Sequence, residues 1–526
     1  MKTKFFLFGA FLLAPLFIVN AQQVWSPDNG DETYTNPLMW GDWPDPDVIR
    51  VGNEFYMVST SMHYVPGSPV AKSKDLVNWE MVSYAVDRYD EDPRYDMKGG
   101  TLYLNGSWAN SIRYNNGKFY VAFCTPYGWG TKKGNFCVCE ADKPEGPWKR
   151  TIFPEYLYDP GLFFDDDGKV YVVHGQFRLY VTELNADVKS VKGKPVEIWN
   201  RGVDDAHNSG KNALMEGAHV YKINGMYYIL CPAGGTEGWQ VCLRSKNIYG
   251  PYEHKVVFQD DSSYPTNGPH QGGMVQLKNG DWWFIIMQDR GPIGRVPCLL
   301  PVNWVDGWPM LGANGKDAVV YQKPNVGKKI KIKAPATTDE FNKKILGLQW
   351  QWNHNPDNSM WSLTERPGHL RLKASFADNL TNARNTLTQR VQGPLSTGTV
   401  ELDISKMKNG NVAGFGIFQS PYAYVGVRCE NGVRKLVVCH NGKDTTLVEK
   451  LENDKVWIRA RVTDRDFTVR FYYSLDGKSF SPVEGALHMG LGYPWTANRF
   501  ALLNYSETQE GVGGIADFNW FRFTNK

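Results

Sequence analysis

Residues 212–230 read NALMEGAHVYKINGMYYIL and join a lone carboxylate, Glu216, to a strand–turn–strand pattern. Residues 219–223 alternate in the way a half-buried strand does, and Asn224-Gly225 is a typical two-residue hairpin turn. Residues 226–230 are apolar and aromatic, as expected of a returning strand. The stretch therefore predicts a β-hairpin with Glu216 just before its first strand.

The turn followed by an aromatic strand occurs five times in the chain. The copies are GNEFYMV around Tyr56, NGKFYVAF around Tyr120, DGKVYVVH around Tyr171, NGMYYILC around Tyr228 and NGDWWFII around Trp283. Their spacings are 120−56=64, 171−120=51, 228−171=57 and 283−228=55 residues, close to the repeat of four-stranded propeller blades. A second repeated pattern, KSKDLVNW, EADKPEGPW and RSKNIYGPY, occurs in three of these units. The sequence predicts an all-β protein with a five-bladed β-propeller.

The N-terminus has the pattern of a secretory signal peptide. Lys2 and Lys4 precede an apolar run over 5–19, and Val-Asn-Ala at 19–21 offers a small-residue cleavage site. A membrane span needs about 20 apolar residues, which is more than this run provides. We expect 1–21 to be removed and the mature protein to be periplasmic or secreted, without a membrane span.

Composition restricts the kinds of ligand. The formal charge of +3 over 526 residues gives no electrostatic basis for binding nucleic acid, so a neutral ligand fits better. The eight cysteines fall mostly in apolar strand patterns and are expected to be buried thiols. The alternative for two of them is a disulfide between Cys429 and Cys439 across the Asn431-Gly432 turn.

Three acidic motifs carry a resemblance to a known family. They are NPLMWGDWPDPDVIRV at 36–51, YDPGLFFDDDG at 158–168 and MEGAHVYKINGMYY at 215–228. In this order and in these blades they resemble glycoside hydrolase family 43, the five-bladed propeller glycosidases, and the similarity extends over 36–312. The resemblance implies a catalytic propeller over 35–320 that acts on oligosaccharide or polysaccharide and requires no cofactor for its chemistry.

The chain changes character after the propeller. Residues 321–338 are basic and contain proline but almost no aromatic residues, which is typical of an interdomain linker. Residues 339–526 contain about a dozen short strand patterns separated by turns, which predicts a β-sandwich. This region resembles the concanavalin-like C-terminal domain of many β-xylosidases and arabinofuranosidases of the family.

Glycoside hydrolysis needs one carboxylic acid to protonate the departing oxygen and one carboxylate acting from the opposite face of the sugar. The resemblance implies that Asp45 is the general base, Glu216 the general acid, and Asp159 the acid that orients Glu216 and raises its pKa. Inversion requires roughly 6.5–9.5 Å between the two reacting carboxyls. The alternative is that these acids cap turns or form ion pairs. Asp47, in the same PDPD run, is expected to point away from the site.

The resemblance also implies a set of sugar contacts. Arg295 in GPIGRVP matches an arginine that binds sugar hydroxyls, and Trp108, His63 and Tyr64 fall where substrate-binding aromatic residues occur. Two further positions depart from the family pattern, because Asn110 and Ser111 replace the residues that usually follow Trp-Ala.

Two metal sites are considered. His270 lies where many family members place a histidine near a cation or water cluster on the propeller axis, although a structural core histidine is the alternative. In the sandwich, Asp339, Glu340 and Asp517 come from its two end strands and would supply oxygen ligands to a structural calcium.

The sequence therefore predicts an inverting, exo-acting hydrolase that releases terminal α-L-arabinofuranose from arabinoxylan, xyloglucan or arabinan. The departures at His63, Asn110 and Ser111 favour arabinose over the alternative, a β-D-xylosidase with the same three acids. A carbohydrate-binding propeller without catalysis is the competing class, and the presence of all three acids argues against it.

Overall fold

A computed structural model describes residues 25–128, 130–200, 215–233, 239–259, 268–313, 315, 320–327 and 333–524. The predicted signal peptide, 1–21, lies outside them. The structure is almost entirely β, and its helical segments are short 3-10 turns at Pro93–Asp96, Gly291–Ile293, Asn358–Met360 and Leu380–Asn382. Within these ranges no helix has the length and apolar character needed to cross a membrane.

The first part of the chain forms the predicted five-bladed propeller. Its strands are β1 Thr33–Thr35, β2 Asp47–Val51, β3 Glu54–Val58, β4 Tyr64–Val65, β5 Gly67–Ser73, β6 Trp79–Val86, β7 Trp108–Asn115, β8 Lys118–Pro126, β9 Gly134–Ala141, β10 Lys149–Phe153, β11 Gly161–Phe164, β12 Val170–His174, β13 Arg178–Leu184, β14 Val191–Asn200, β15 His219–Ile223, β16 Met226–Ala233, β17 Trp239–Ser245, β18 Glu253–Gln259, β19 His270–Gln276, β20 Trp282–Asp289, β21 Arg295–Val305, β22 Trp308–Leu311 and β23 Val320–Gln322.

Each blade is an antiparallel four-stranded sheet. Blade one is β2-β3-β5-β6, and blades two to five are β7–β10, β11–β14, β15–β18 and β19–β22. The five repeated aromatic residues all lie on the second strand of a blade. They are buried there because the second strand packs against neighbouring blades on both faces. The repeat seen in the sequence therefore marks a buried position on the second strand of each blade.

A left-handed turn stands at the start of the first strand in every blade. The residues with positive φ are Asp45 (51°), Ala109 (46°), Asp159 (50°), Gly217 (56°) and Gln271 (55°). Positive φ is uncommon for residues other than glycine, and aspartate tolerates it better than most. The two aspartates and the neighbour of Glu216 thus occupy equivalent turns around one end of the propeller.

The second part of the chain is a sandwich of two sheets. Its strands are β24 Gln351–Asn353, β25 Trp361–Ser362, β26 Leu370–Lys373, β27 Ser375–Phe376, β28 Leu387–Arg390, β29 Leu395–Lys406, β30 Asn411–Phe418, β31 Ala423–Glu430, β32 Val433–His440, β33 Lys443–Val448, β34 Lys455–Thr463, β35 Thr468–Ser474, β36 Ser481–Pro482, β37 Leu487–His488, β38 Arg499–Ser506 and β39 Ile515–Thr524.

One sheet of the sandwich has the order β33-β32-β31-β30-β38-β28-β24-β4, and the other has the order β25-β26-β39-β29-β34-β35-β36. The core between them follows the period-two alternation of the strands. In β34, for example, Val456, Ile458, Ala460 and Val462 are buried, whereas the residues between them are half-buried or exposed. The sandwich is therefore built as the sequence pattern predicts.

The propeller and the sandwich share a sheet edge. β4, which lies between β3 and β5 in the chain, pairs with β24 of the sandwich, joining Tyr64 to Asn353 and Val65 to Trp352. The guanidinium of Arg499 lies 3.7 Å from the centre of the Tyr64 ring. The sandwich is thus docked on the propeller by backbone pairing as well as by side-chain packing.

Two details refine the sequence predictions. The prediction of buried thiols is confirmed for Cys429 and Cys439, and the alternative disulfide is not formed, because β31 and β32 pair Cys429 with Arg434 and Tyr424 with Cys439, and both cysteines are free. The start of the predicted linker is a strand, since β23 pairs with β1 and so connects Val320–Gln322 back to the N-terminal segment.

Candidate active site

Asp45 faces a cation supplied by the last blade. Its Oδ1 accepts a hydrogen bond of 2.9 Å from Nη1 of Arg295, and both side chains are more than nine-tenths buried. The backbone around Asp45 is also fixed, because the carbonyl of Pro44 accepts hydrogen bonds from Ser59 Oγ and from the amide of Thr60. Asp45 is therefore a buried carboxylate whose charge Arg295 balances.

Glu216 is held by two neutral donors from blade three. Its Oε2 accepts hydrogen bonds from Nε2 of Gln176 at 2.6 Å and from the Tyr158 hydroxyl at 3.2 Å. Burial, Asp159 and Glu216 all raise the pKa of Tyr158, so its phenol stays protonated and remains a donor. Because both groups donate to Oε2, Oε1 is the oxygen of Glu216 that can carry a proton.

Sequence reasoning missed both donors. Tyr158 precedes Asp159 in the second acidic motif, and its position there was the only available signal. Gln176 lies in the turn between β12 and β13, where nothing in the sequence distinguishes it from a surface glutamine.

The three acids affect one another's protonation. Burial raises the pKa of Asp159 well above its ordinary range, and repulsion from Glu216 and Asp45 adds to this effect. Burial also raises the pKa of Glu216, and Asp45 contributes, although Gln176, Tyr158 and Arg295 act in the opposite direction. Charge repulsion of this kind requires short separations, so the turns of blades one, three and four bring the acids into one funnel.

Two aromatic residues lie near this funnel. The ring of Trp108 is 6.4 Å from that of Tyr158, and the two belong to one apolar cluster. From the sandwich, the carbonyl of Trp495 accepts a hydrogen bond of 3.4 Å from Nη2 of Arg295. The C-terminal domain therefore reaches the residue that pairs with Asp45.

Comparison with known proteins bears on what this arrangement is. The family model of glycosyl hydrolases family 43 matches residues 34–309, and the model of the beta xylosidase C-terminal concanavalin A-like domain matches residues 338–524. The chain belongs to glycoside hydrolase family 43. The three motifs that carry the acids all lie within the matched propeller.

Individual relatives of this family-43 hydrolase carry two kinds of name. A putative beta-xylosidase of Xylanibacter ruminicola is 37% identical, covering 90% of this chain and 87% of its own length. A non-reducing end alpha-L-arabinofuranosidase of Bacteroides ovatus, BoGH43B, is 33% identical and covers 81% and 79% respectively. The solved structure of a bifunctional GH43-CE protein of Bacteroides eggerthii superposes with a TM-score of 0.84 at 37% identity. It covers 94% of this chain, which spans 64% of that longer chain.

Asn110 and Ser111 do not reach the funnel of this family-43 hydrolase. Both are fully buried. The Asn110 amide donates to the carbonyl of Ser59, and the Ser111 hydroxyl accepts from the amide of Leu162, so the two side chains connect blade two to its neighbours. Their departure from the family pattern therefore gives no information about the bound sugar.

The placement of His63 and Tyr64 at the pocket rim is also corrected. His63 is 1% exposed, and its ring lies 4.2–4.8 Å from those of Tyr64, Tyr103 and His354. Because His354 belongs to the sandwich, this cluster packs at the interface between the propeller and the sandwich. Neither His63 nor Tyr64 is accessible to a sugar.

Asp47 has a structural role. Its Oδ2 accepts hydrogen bonds from the amide of Ile112 at 2.8 Å and from Nη1 of Arg113 at 2.5 Å, and Nδ1 of His219 lies 3.5 Å away. The carboxylate is fully buried. Asp47 thus links blade one to blades two and four beneath the funnel.

The predicted metal ligands are engaged by protein groups. Nδ1 of His270 lies 3.0 Å from the carbonyl of Gly268, and its Nε2 is 3.7 Å from Asp289. In the described part of the chain, no group of three or more histidine, cysteine or acidic side chains is arranged to hold a metal.

The expected calcium ligands of the sandwich are not brought together. Asp339 accepts from the indole of Trp350, Glu340 pairs with Arg522, and Asp517 pairs with Arg366 and Arg371. Each carboxylate has its own hydrogen-bond or ion-pair partners, so the three do not form a shared site for one ion.

Proposed function

We propose that this family-43 hydrolase is an inverting, exo-acting enzyme that removes a terminal pentose from hemicellulose chains or oligosaccharides. The observation that supports the proposal most directly is the contrast between Asp45, paired with a guanidinium, and Glu216, which has neutral donors and a raised pKa. Inverting hydrolysis needs one ionised and one protonated carboxyl. The funnel offers both.

In the proposed reaction, Asp45 removes a proton from a water molecule that attacks the anomeric carbon. Its ion pair with Arg295 fixes the direction of the carboxylate. The guanidinium has further N–H groups, and donors in this fork geometry suit neighbouring sugar hydroxyls. Arg295 therefore orients both the base and the sugar.

Glu216 protonates the departing oxygen. Its Oε2 is occupied by Gln176 and Tyr158, so the proton is delivered from Oε1. Burial and repulsion from Asp45 raise the pKa of Glu216, which favours the protonated form before the reaction. The proton then leaves with the sugar alcohol.

We propose β-D-xylosides as the first substrate and α-L-arabinofuranosides as the second. The features that favoured arabinose, at His63, Asn110 and Ser111, are buried away from the funnel. The C-terminal model match and the relative at 37% identity both carry the name of β-xylosidase. The relative from Bacteroides ovatus that is named an arabinofuranosidase supports α-L-arabinofuranosides as the second candidate substrate.

The test is release of 4-nitrophenol from its β-D-xyloside and α-L-arabinofuranoside, with the Asp45→Asn variant as the inactive control. Faster release from the xyloside supports the first assignment, and faster release from the arabinofuranoside reverses it. Release from neither by folded protein contradicts the proposed function and favours the non-catalytic, sugar-binding class.

We further propose that the mature enzyme acts in the periplasm or outside the cell. The proposal rests on the signal-peptide pattern of residues 1–21. It is tested by N-terminal sequencing of the protein recovered from the periplasmic or secreted fraction, where the chain is expected to begin at Gln22.

A further inference from the structure

A pocket lies between the N-terminal segment, blade one and the sandwich. Its cavity volume is about 60 Å³, and its lining includes none of Asp45, Asp159, Glu216 and Arg295. At roughly 10–15 Å³ for each water, this volume holds about four to six waters, comparable with one pentose unit. The pocket is thus separate from the funnel and large enough for one sugar ring.

The pocket also lies towards the opposite end of blade one. β2 begins two residues after Asp45 and runs away from the funnel, and its last residue, Val51, pairs with Glu54. β3 returns towards the funnel, and β5 runs away from it again. Ser73, the last residue of β5, is therefore at the far end, and so is Trp79, with which it pairs. Trp79, one of the lining residues, therefore marks the end of the pocket that is remote from the catalytic turns, whereas Trp43, two residues before Asp45, lines the end nearer to them.

The walls of the pocket are aromatic. Trp25 and Trp40 line it and are partly exposed, whereas Trp43 and Trp79, which also line it, are 3% and 1% exposed and belong to the buried core. The rings of Trp25 and Trp40 meet edge to face at 4.7 Å, so these side chains are fixed against each other. Indole rings provide rigid apolar surface with little loss of conformational entropy, and the C–H face of a sugar packs well on such a surface.

Polar atoms of the same lining are buried without partners. Asn78 Oδ1, Gln389 Oε1, Trp40 Nε1 and Arg390 Nη2 have no hydrogen-bond partner among the residues the structure describes. Asn78 and Gln389 are 5% and 3% exposed. A buried polar group left unpaired costs about 1–3 kcal/mol. Two acceptors and two donors in one pocket call for a ligand that both donates and accepts.

Charge does not select the ligand. Lys333, at the pocket, is paired with both oxygens of Glu80 at 2.7 Å. Arg390 donates from Nε to the carbonyl of Asp42 and lies over the ring of Trp43, which leaves Nη2 as a donor without a partner among the described residues. Hydroxyl groups beside an apolar ring face match the remaining features, and these are the features of a neutral sugar.

We propose that this interdomain pocket is a second sugar-binding site, which holds one pentose unit of a hemicellulose chain outside the funnel. This inference rests on the proposed function, because it takes its ligand from the same class of polymer. Two sites on one rigid body bind a long chain more tightly than either alone, since the second contact is intramolecular.

The direct test uses crystals of the full chain carrying Glu216→Gln, soaked with β-1,4-xylotriose. The result expected is sugar density in the pocket as well as in the funnel, with hydroxyls within hydrogen-bond distance of Asn78 Oδ1 or Gln389 Oε1. Density for sugar in the funnel with only water in the pocket would overturn the inference.

A second test fills the pocket in the same Glu216→Gln background. Ala334→Trp fills it from the segment before the sandwich and Gln392→Trp from the sandwich itself, whereas Ala186→Trp, on an exposed turn of blade three, is the matched control. Affinity electrophoresis in soluble arabinoxylan is expected to show at least a fivefold weaker apparent affinity for the two filled variants, with the control unchanged.

Equal retardation of all three variants would contradict the second site. Thermal unfolding identifies any variant that fails to fold, and the two fillings enter from different domains, so one of them suffices for the comparison. The inference and the proposed function fail separately. Absence of 4-nitrophenol release by the wild type refutes catalysis, whereas an empty pocket in crystals of an active enzyme refutes only the second site.

Discussion

On the side of the funnel formed by blades one and five, Asp45 lies against a guanidinium. On the side formed by blades three and four, Glu216 accepts hydrogen bonds from an amide and a phenol, beside a second acid. The reacting group is a carboxyl in both cases. On the first side Arg295 forms an ion pair with the carboxylate, whereas on the second side burial and repulsion from Asp45 raise the pKa of Glu216.

This difference explains how one pocket holds a base and an acid at the same pH. The residue type does not decide the role, because the nearest charges and donors do. Substituting either carboxyl tests its role in the reaction, and substituting only the neighbouring groups tests what sets that role.

The largest expected effect comes from Asp45→Asn. Loss of the base should lower kcat/KM by roughly 10⁴-fold, the upper end for acid–base catalysis, because the amide of asparagine does not accept the proton of the attacking water. The loss should be similar for xylobiose and for dinitrophenyl xyloside, since both need the attacking water. A loss confined to one substrate would contradict the role of general base.

Glu216→Gln should have a smaller and selective effect. Release from xylobiose should slow by about 10²–10⁴-fold, because a sugar alkoxide needs a proton as it departs. Dinitrophenyl xyloside, whose leaving group departs unaided, should be affected far less. Equal losses on both substrates in protein shown to be folded would indicate a structural acid instead.

Asp47→Asn should affect stability rather than catalysis. Breaking a buried ion pair costs about 3–5 kcal/mol, and Asp47 faces Arg113 with no exposure of its own. Thermal unfolding should therefore begin several degrees lower, while kcat measured well below that temperature stays near the wild-type value. Loss of activity without loss of stability would place Asp47 in the chemistry.

The same ion pair predicts a pH dependence. Burial by itself raises the pKa of Asp47, but Arg113 and His219 outweigh it and hold the pKa below the ordinary value of 3.8. A lowered carboxyl pKa stabilises the fold above the unfolded value and ceases to do so as the pH falls through the folded one. Acid unfolding below about pH 4 should therefore be less steep in the Asp47→Asn variant.

Tyr158→Phe should have the smallest effect. The phenol stabilises the ionised form of Glu216, so its removal should raise the pKa of Glu216 further. Activity depends on protonated Glu216 and is lost as pH rises through that pKa, so the alkaline limb of kcat/KM should move to higher pH. Tyr156→Phe is the matched control, because its ring lies 6.2 Å from that of Tyr158. A shift of the same size in both variants would contradict the assignment.

The sequence was sufficient for the fold because its repeat coincides with burial. The aromatic residue after each turn lies on the second strand of a blade, where packing on both faces demands it, so periodicity and structure report the same constraint. The positions of the three acids could also be predicted from the sequence, because each lies in a distinctive turn motif next to an inner strand.

The side chains that surround the three acids could not be predicted from the sequence in the same way. Gln176 and Tyr158 reach Glu216 from another blade, and His63 is buried only because the sandwich places His354 against it. Such contacts depend on how blades and domains meet, which no local pattern records. For the same reason the departures at Asn110 and Ser111, which favoured arabinose in the sequence, are contacts between blades in the structure.

The most direct test of the central claim is the configuration of the sugar first released. Proton NMR during hydrolysis of 4-nitrophenyl β-D-xyloside resolves the two anomers before they equilibrate. If Asp45 activates water on the face opposite to the proton delivered by Glu216, α-xylose appears first and β-xylose only later. Initial release of β-xylose would mean that a carboxyl attacks the sugar directly and would contradict the assignment of Asp45 as a general base.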